Sequence, residues 1–471
     1  MNIPRFLELY KEGRLDDAFL SVIFDNPLPA STGRVCQHSC DNRCRRLVQD
    51  EAVNMREVHR LIAESILLTD AFDEMAGRIL ARRLPASGRK AAVVGAGPAG
   101  LTAAFYLALL GHAVTVFEAH AEPGGMLRYA LPEYRLPKSA LDREIEIIRR
   151  LAAKLVCNTR VGESLSLNDL DAGFDAVFLS IGAWKESWLY LSGTEFKGVR
   201  PALPFLEGVA MGEAMPLGDH VAVIGAGNAA IDSARTAVRR GAAATVIYRR
   251  ERKDMPAIEE EVDAAEQEGV RFLFLAAPHR IVGEHGEVKG IEVVKTRLGD
   301  FDPSGRHRPI LTDEVRIIRC SAVILAVGET LDLDFCKASG LRLKESGSLD
   351  VNRYTLETSR EKFYAGGDLV TGASNISNAM GYGKEAARHI DARFSGRSRF
   401  DDVLPQFVYD QRPPDPVPCR RHHGHDVPAA LRRRTFSEAM DALTPEEALR
   451  EAARCLRCDI RENGGHAAVH V

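Results

Sequence analysis

The chain has 471 residues, 27% of them charged and 45% hydrophobic, with a formal net charge of −4. That length suits two or three domains with separate cores, and the small, interspersed charge excludes bulk attraction to nucleic acid or to a membrane surface. Charges interrupt the first apolar stretch, so no signal peptide is expected, and no run reaches the roughly 20 apolar residues of a membrane span. The expected setting is cytoplasmic, where the nine cysteines serve as ligands or buried thiols rather than disulfides.

Residues 4–24 and 51–84 carry apolar positions at helical spacing, separated by a turn-rich stretch at 26–33. Next come Cys36, Cys40 and Cys44 at equal four-residue steps, a one-turn spacing that can aim three thiols at one point. Soft thiolates so grouped suit an iron–sulfur cluster or zinc; the bland alternative is three unconnected buried cysteines. Residues 85–88 read as a linker. From Lys90 the pattern becomes strand (91–94), helix (99–110, stopped by Gly111) and strand (113–117, closed by Glu118). It repeats as strand 221–224, helix 229–240 stopped by Gly241, and strand 244–248, with later strands at 176–181 and 322–327. Strands alternating with helices predict parallel sheets. From 394 onward the chain is rich in Arg, Pro and His and reads as a tail with little core, closed by one helix whose start, Thr444-Pro-Glu-Glu447, is a capping box.

Each repeat carries a glycine-rich phosphate cradle. In the first, Gly95 makes the tight turn, Gly97 lets backbone approach a pyrophosphate and Gly100 packs helix on strand, while Pro98 and Ala99 open the helix whose N–H groups face the phosphate. Glu118 stands where a ribose diol is recognised. A turn containing Gly125, Met126, Leu127 and Arg128 is expected beside this cofactor. Gly367-Asp368 is expected at its ribityl chain, and the following helix, 375–389, aims its N-terminus at a flavin ring. In the second copy Gly225, Gly227, Asn228 and Ala229 form the cradle, and Ala230 replaces the third glycine. Its second strand ends in Arg249 and Arg250 instead of an acid, which favours a ribose 2′-phosphate and hence NADPH, with NADH as the alternative. Gly328, after the strand at 322–327, is a further cofactor-contact candidate. Two cradles with unequal acids predict FAD in the first and a nicotinamide in the second.

Cys455 and Cys458 end the capped C-terminal helix. With no preceding strand, a thioredoxin-like dithiol is disfavoured, and metal ligation with the tail folded back on the N-terminal segment is expected. Cys157, Cys320 and Cys336 read as core. Cys419 with His422, His423 and His425 reads as a solvated tail segment or a metal site.

These motifs, together with Pro132-Glu-Tyr-Arg-Leu-Pro137 and Met255-Pro-Ala257, resemble the small (beta) subunit family of bacterial NADPH-dependent glutamate synthases and the equivalent N-terminal half of dihydropyrimidine dehydrogenase. The resemblance implies an α/β fold in which an all-α iron–sulfur domain precedes two Rossmann-like dinucleotide-binding domains, the FAD domain being interrupted by the NADPH domain. The expected division is 1–88 (iron–sulfur), 89–217 (FAD), 218–328 (NAD(P)H), 329–395 (FAD) and 396–471 (tail). It implies at least one [4Fe–4S] cluster ligated from Cys36, Cys40, Cys44, Cys455 and Cys458, with His59 read as an exposed helical histidine or, as the alternative, a further ligand. The chain departs from the family in starting just past an upstream cysteine block, which the Cys455/Cys458 pair resembles. The implied activity is NAD(P)H oxidation and electron delivery to a partner subunit within a hetero-oligomer. Rival readings are a subunit of another multi-subunit, electron-splitting oxidoreductase, a disulfide reductase of the thioredoxin-reductase type, and a non-catalytic scaffold.

Overall fold

The computed structural model describes residues 1–302, 305–345, 347–410, 412 and 419–460. Five parallel strands form the first sheet, in spatial order Phe363–Ala365, Ala176–Leu179, Lys90–Val94, Ala113–Phe117 and Lys154–Val156. Ala176–Leu179 is buried throughout, as is Lys90–Val94 apart from its first residue. Helices cover both faces of such a sheet, so its strands read as continuous apolar runs. The helix Pro98–Leu109 is apolar all round and buried from Ala99 onward. It lies between the sheet and the helix Ile376–Ser395, where Gly383 admits the backbone of Ala99 so closely that a Cβ would collide with the Ala99 carbonyl.

A second five-stranded parallel sheet runs Val199–Pro201, Ala322–Leu325, His220–Ile224, Ala243–Ile247 and Arg271–Leu273. Val199–Pro201 therefore pairs within the second sheet, although the sequence division put it in the first domain. The chain crosses between the sheets at Lys185–Glu186 and returns at Glu329–Thr330, and these segments pair antiparallel. An antiparallel meander, Ala276–Glu284, Glu287–Phe301 and His307–Arg319, is inserted in the second domain. Its outer strand is exposed along most of its length, so it lacks the apolar run that marked the buried strands.

The N-terminal segment is helical, with Ile3–Lys11, Leu15–Ile23, Pro29–Val35, Met55–Leu67 and Phe72–Leu80. Pro29–Val35 packs on Met55–Leu67 at Gly33, where a Cβ would stand 2.6 Å from the Arg60 Cβ. The tail does fold back here, and it contributes core: Leu443, Ala448 and Ala452 join the same apolar cluster as Phe6 and Val58. Thr444 and Glu447 form the expected capping box on Pro445–Ala453. Upstream of that helix the tail acts as a strap. Arg432 pairs with Glu268 of the second domain, Glu438 with Arg34 and Arg60 of the N-terminal segment, and the Ala439 N–H donates to the Tyr134 carbonyl of the first domain. Among the described residues no helix is long and apolar enough to cross a membrane.

Candidate functional site

The first cradle opens on a cavity of about 1410 Å³. Gly95 has φ +98°, and a Cβ there would lie 2.5 Å from the Ser180 carbonyl oxygen. Gly125, at φ +55°, faces Gly97 so closely that its Cβ would reach 2.7 Å from the Gly97 Cα. The two glycines thus clear a groove at the start of the helix, where free N–H groups favour a phosphate. Gly95, Gly97, Pro98, Ala99, Glu118, Gly125, Met126, Leu127, Gly367 and Asp368 all line the cavity. Gly100 lies behind it, packed on the Gly95 carbonyl. Arg128 turns away: its Nε donates to the Pro123 carbonyl and its Nη2 pairs with Asp142. Gly328 shapes the return crossing with φ +109°, while its neighbour Glu329 reaches the cavity.

Glu118 is buried. Burial alone would raise its pKa, but hydrogen bonds from the His120 ring, the His120 N–H (2.9 Å) and the Ala96 N–H (2.7 Å) hold it below the usual carboxylate range. A carboxylate has about four acceptor positions, so it retains capacity for a ribose hydroxyl. His120 was not singled out from the sequence. Its ring stacks between Tyr129 (4.5 Å) and Trp184 (4.6 Å) and bridges Glu118 to Glu207, 3.1 Å from each. The only sequence signal was its place two residues after Glu118. Asp368 presents Oδ1 to the N–H and hydroxyl of Ser374, and the helix starting at Ile376, capped by Asn375, points into the same space.

The second cradle meets this cavity through Asn228, Ala229 and Asp232. Gly225 packs on the Ala326 carbonyl, whereas a Cβ on Gly227 would meet nothing within 4 Å, so the backbone stands open to an approaching ligand. Arg135, from the Pro132–Pro137 motif of the first domain, pairs with Asp232 through Nη1 at 2.8 and 3.0 Å. This buried ion pair ties the two cradles together. The arginines at the strand end are unequal. Arg249 is exposed and, among the described residues, its side chain has no hydrogen-bond or ion-pair partner. Arg250 is buried, donating to the His307 carbonyl (2.6 Å) and pairing with Asp302 (2.8 Å). The expected role of Arg250 at a 2′-phosphate is therefore corrected: the meander consumes it.

The cysteines lie where the N-terminal segment meets the tail. Cys36 follows the helix Pro29–Val35 in extended conformation, its Sγ 3.4 Å from the Ser377 Oγ. Its neighbours Val35 and Gln37 line the main cavity. His38 is left-handed and Ser39–Arg43 is a 3-10 helix, so the four-residue steps do not fall on one α-helical face. Cys40 feels the charge of Cys36, Cys455 that of Cys458, and Cys458 that of Cys44. Burial pushes Cys40 up to about 11 and Cys455 up to about 12. Among the described residues no three donors converge on one point; Cys36 and Cys40 form one set of free thiols and Cys44, Cys455 and Cys458 another, and thiols are the donor chemistry of an iron–sulfur centre. His59 does not join them. It is fully buried, with Nδ1 3.0 Å from the Met55 carbonyl and Nε2 3.4 Å from the Thr32 hydroxyl, and burial lowers its pKa to about 4. The Cys419 segment is held by protein partners. Cys419 Sγ stands 4.0 Å from His422, while His422 pairs with Glu451 and His425 with Glu447.

Comparison with known proteins gives two family matches. Residues 89–383 match the pyridine nucleotide-disulphide oxidoreductase model, and residues 1–70 match dihydropyrimidine dehydrogenase domain II, 4Fe-4S cluster. The chain is 35% identical over 501 residues to the NADPH-Fe(3+) oxidoreductase subunit beta of Geobacter sulfurreducens, covering 97% of this chain and 73% of that one. It is 35% identical over 491 residues to the NADP(+)-dependent formate dehydrogenase subunit beta of Moorella thermoacetica (97% and 69%). It is 34% identical over 408 residues to the glutamate synthase [NADPH] small chain of Escherichia coli (82% and 85%). Mycobacterium tuberculosis FprA in complex with NADPH shares the fold, with a TM-score of 0.54 at 18% identity over 69% of this chain and 88% of that one.

Proposed function

The chain belongs to the pyridine nucleotide-disulphide oxidoreductase family, and from that premise we propose that it is the electron-input subunit of a larger oxidoreductase. Held at the first cradle, FAD would supply the conversion between a two-electron hydride donor, NADPH, and one-electron carriage by a [4Fe–4S] centre. The observation that carries this reading is one shared cavity, reached by the first cradle, by Asn228, Ala229 and Asp232 of the second, and by Val35 and Gln37 on either side of Cys36. Input, transfer and exit groups thus border the same space.

In this reading the N–H groups of Ala99 and Gly100, at the start of the helix that Pro98 opens, hold the pyrophosphate of FAD, Glu118 its ribose and Asp368 its ribityl chain. The positive end of Ile376–Ser395 favours negative charge on the ring. Arg249 holds the NADPH 2′-phosphate. The Arg135–Asp232 pair orients the second cradle toward the first, so alignment is the chain's main catalytic contribution. The five cysteines at the tail junction supply the iron ligands, in a reducing cytoplasmic setting. The acceptor lies on another polypeptide, since the relatives in Geobacter and Moorella are themselves named as subunits. The working division is 1–88 with the tail, 89–186 with 329–395, and 187–328.

A thioredoxin-reductase-like role needs a dithiol in reach of the flavin. Cys320, the only cysteine between 187 and 328, is buried in the second domain's core and pushed up to about 12 by burial. Anaerobic mixing tests the reading. NADPH is expected to bleach the flavin, a one-electron dye to reoxidise it, and iron and acid-labile sulfide to be present. Reoxidation by a small disulfide at catalytic rates, or no bleaching, refutes it.

A further inference from the structure

Oxidation of NADPH by one-electron acceptors yields NADP⁺, two electrons and one proton, and the cysteines account only for the electrons. We propose that Glu329 receives this proton at the cavity wall and passes it through Glu186 to Glu207 and solvent. The proposal rests on the reading that NADPH is oxidised in this cavity.

The placement comes from the crossing between the two dinucleotide domains. Glu329 and Glu207 both line the cavity. Glu329 and Glu186 are direct partners across the antiparallel crossing, which sets their Cβ atoms about 5 Å apart. The charged group felt most by Glu186 is Glu207. Glu207 stands 3.1 Å from the His120 Nε2, with its side chain 32% exposed, so the series ends at water. The strand pairing makes the first step short, and water in the cavity that Glu329 and Glu207 both line can complete the path.

The charges around Glu329 favour this use. Asp368 faces it from the segment after Gly367, Glu186 and Lys185 stand on the opposite strand, and Asp332 and Asp334 follow on its own. Lys185 is turned to Asp334, 3.8 Å away. Among the described residues neither Glu329 nor Glu186 has a lysine or arginine partner. Like charges directly opposite each other destabilise a strand pair, and one shared proton relieves that repulsion. Burial and then Asp368 raise the proton affinity of Glu329, while burial and then Glu207 raise that of Glu186. Asp368 is pinned by Ser374 and is not needed as a carrier. The balance closes: the hydride leaves NADPH with both electrons, the electrons depart to the acceptor, and the proton goes to a Glu329 carboxylate oxygen and then to solvent.

The test uses the anaerobic holoenzyme. Wild-type protein that NADPH cannot bleach refutes the functional reading itself, independently of this step. Given bleaching, electron release to a one-electron dye is followed against pH in H₂O and in D₂O. Glu329→Gln and Glu186→Gln are expected to slow release at least tenfold near neutrality and to change its pH profile and solvent isotope effect. Glu329→Asp is expected to restore part of the rate. Glu284→Gln, an exposed carboxylate on the meander, is the control expected to leave both readouts unchanged. A wild-type pH profile and solvent isotope effect of release in Glu329→Gln overturn the proposal, as does a raised KM for NADPH with release unchanged. If Glu329→Gln fails to fold, Glu186→Gln decides by the same readouts.

Discussion

Separate removal of Arg249 and Arg250 should have different consequences, although the two residues are adjacent and chemically identical. Arg249 is exposed and uncommitted, so its guanidinium is available to a ligand. A charge-assisted hydrogen bond contributes about 1.5–3 kcal/mol, or roughly ten- to hundredfold in affinity. Arg249→Ala is therefore expected to raise KM for NADPH by about that factor and to leave KM for NADH nearly unchanged. Arg250 is buried against the His307 carbonyl and Asp302. Its removal takes a donor from the His307 carbonyl, at about 1–3 kcal/mol, whereas Asp302 keeps the Arg306 N–H. Arg250→Ala should thus cost about 2 kcal/mol of stability and little cofactor preference. Steady-state kinetics with both nucleotides, beside thermal melts, separates the effects. Equal KM increases for NADPH and NADH in Arg249→Ala, or a lost NADPH preference in Arg250→Ala with unchanged melting, would refute the assignment.

Other consequences follow from the N-terminal packing. Gly33→Ala places a methyl 2.6 Å from the Arg60 Cβ and 2.8 Å from its Cα; overpacking of about 1–3 kcal/mol should lower the melting temperature, and an unchanged melt would contradict the packing. Glu144, fully buried, accepts from the Ala30 and Ser31 N–H groups and the Ser31 hydroxyl, and burial pushes it up to about 7. Because its folded pKa is raised, its contribution is complete below about 4.5 and is lost as pH rises through 7, a swing of about 3 kcal/mol. Denaturation of wild type and Glu144→Gln across that window should show the difference moving toward Gln, and a constant difference would sink the argument. Finally, His59→Gln should retain iron while Cys458→Ser loses part of it, as read by iron and sulfide analysis; iron loss in the His59 variant would restore histidine as a ligand.

The inner strands of both sheets were legible as short apolar runs, whereas the partly buried edge strands Lys154–Val156, Val199–Pro201 and Arg271–Leu273 carry no such run and were not expected. The cradles were legible because each glycine answers a local collision, such as that of Gly95 with the Ser180 carbonyl. The fate of Arg250 was not, because Asp302 and His307 arrive from over fifty residues away on a meander without apolar alternation. The cysteine spacing suggested an α-helix, but spacing carries no backbone conformation, and a left-handed His38 breaks the turn. His59 looked like an exposed helical residue or a ligand because burial of one helix face depends on what covers it. Here Phe6 meets the imidazole edge-on from the first helix.

The tail shows why long-range pairing matters for the chemistry. Composition marked 396 onward as solvated, yet Arg432, Glu438 and Ala439 each grip a different part of the molecule, and Arg454 is buried against Asp50, Glu451 and the Glu51 and Ala52 carbonyls. Buried arginines of this kind add little net stability over apolar residues, but losing one partner is costly, so the arrangement is selective rather than merely strong. The strap that brings Cys455 and Cys458 beside Cys44 also holds Glu268 on the second domain. Displacing that domain means breaking Arg432–Glu268 and Arg135–Asp232 together. A domain so fixed suits electrons leaving through the cysteine junction, with the nicotinamide site held against the flavin throughout.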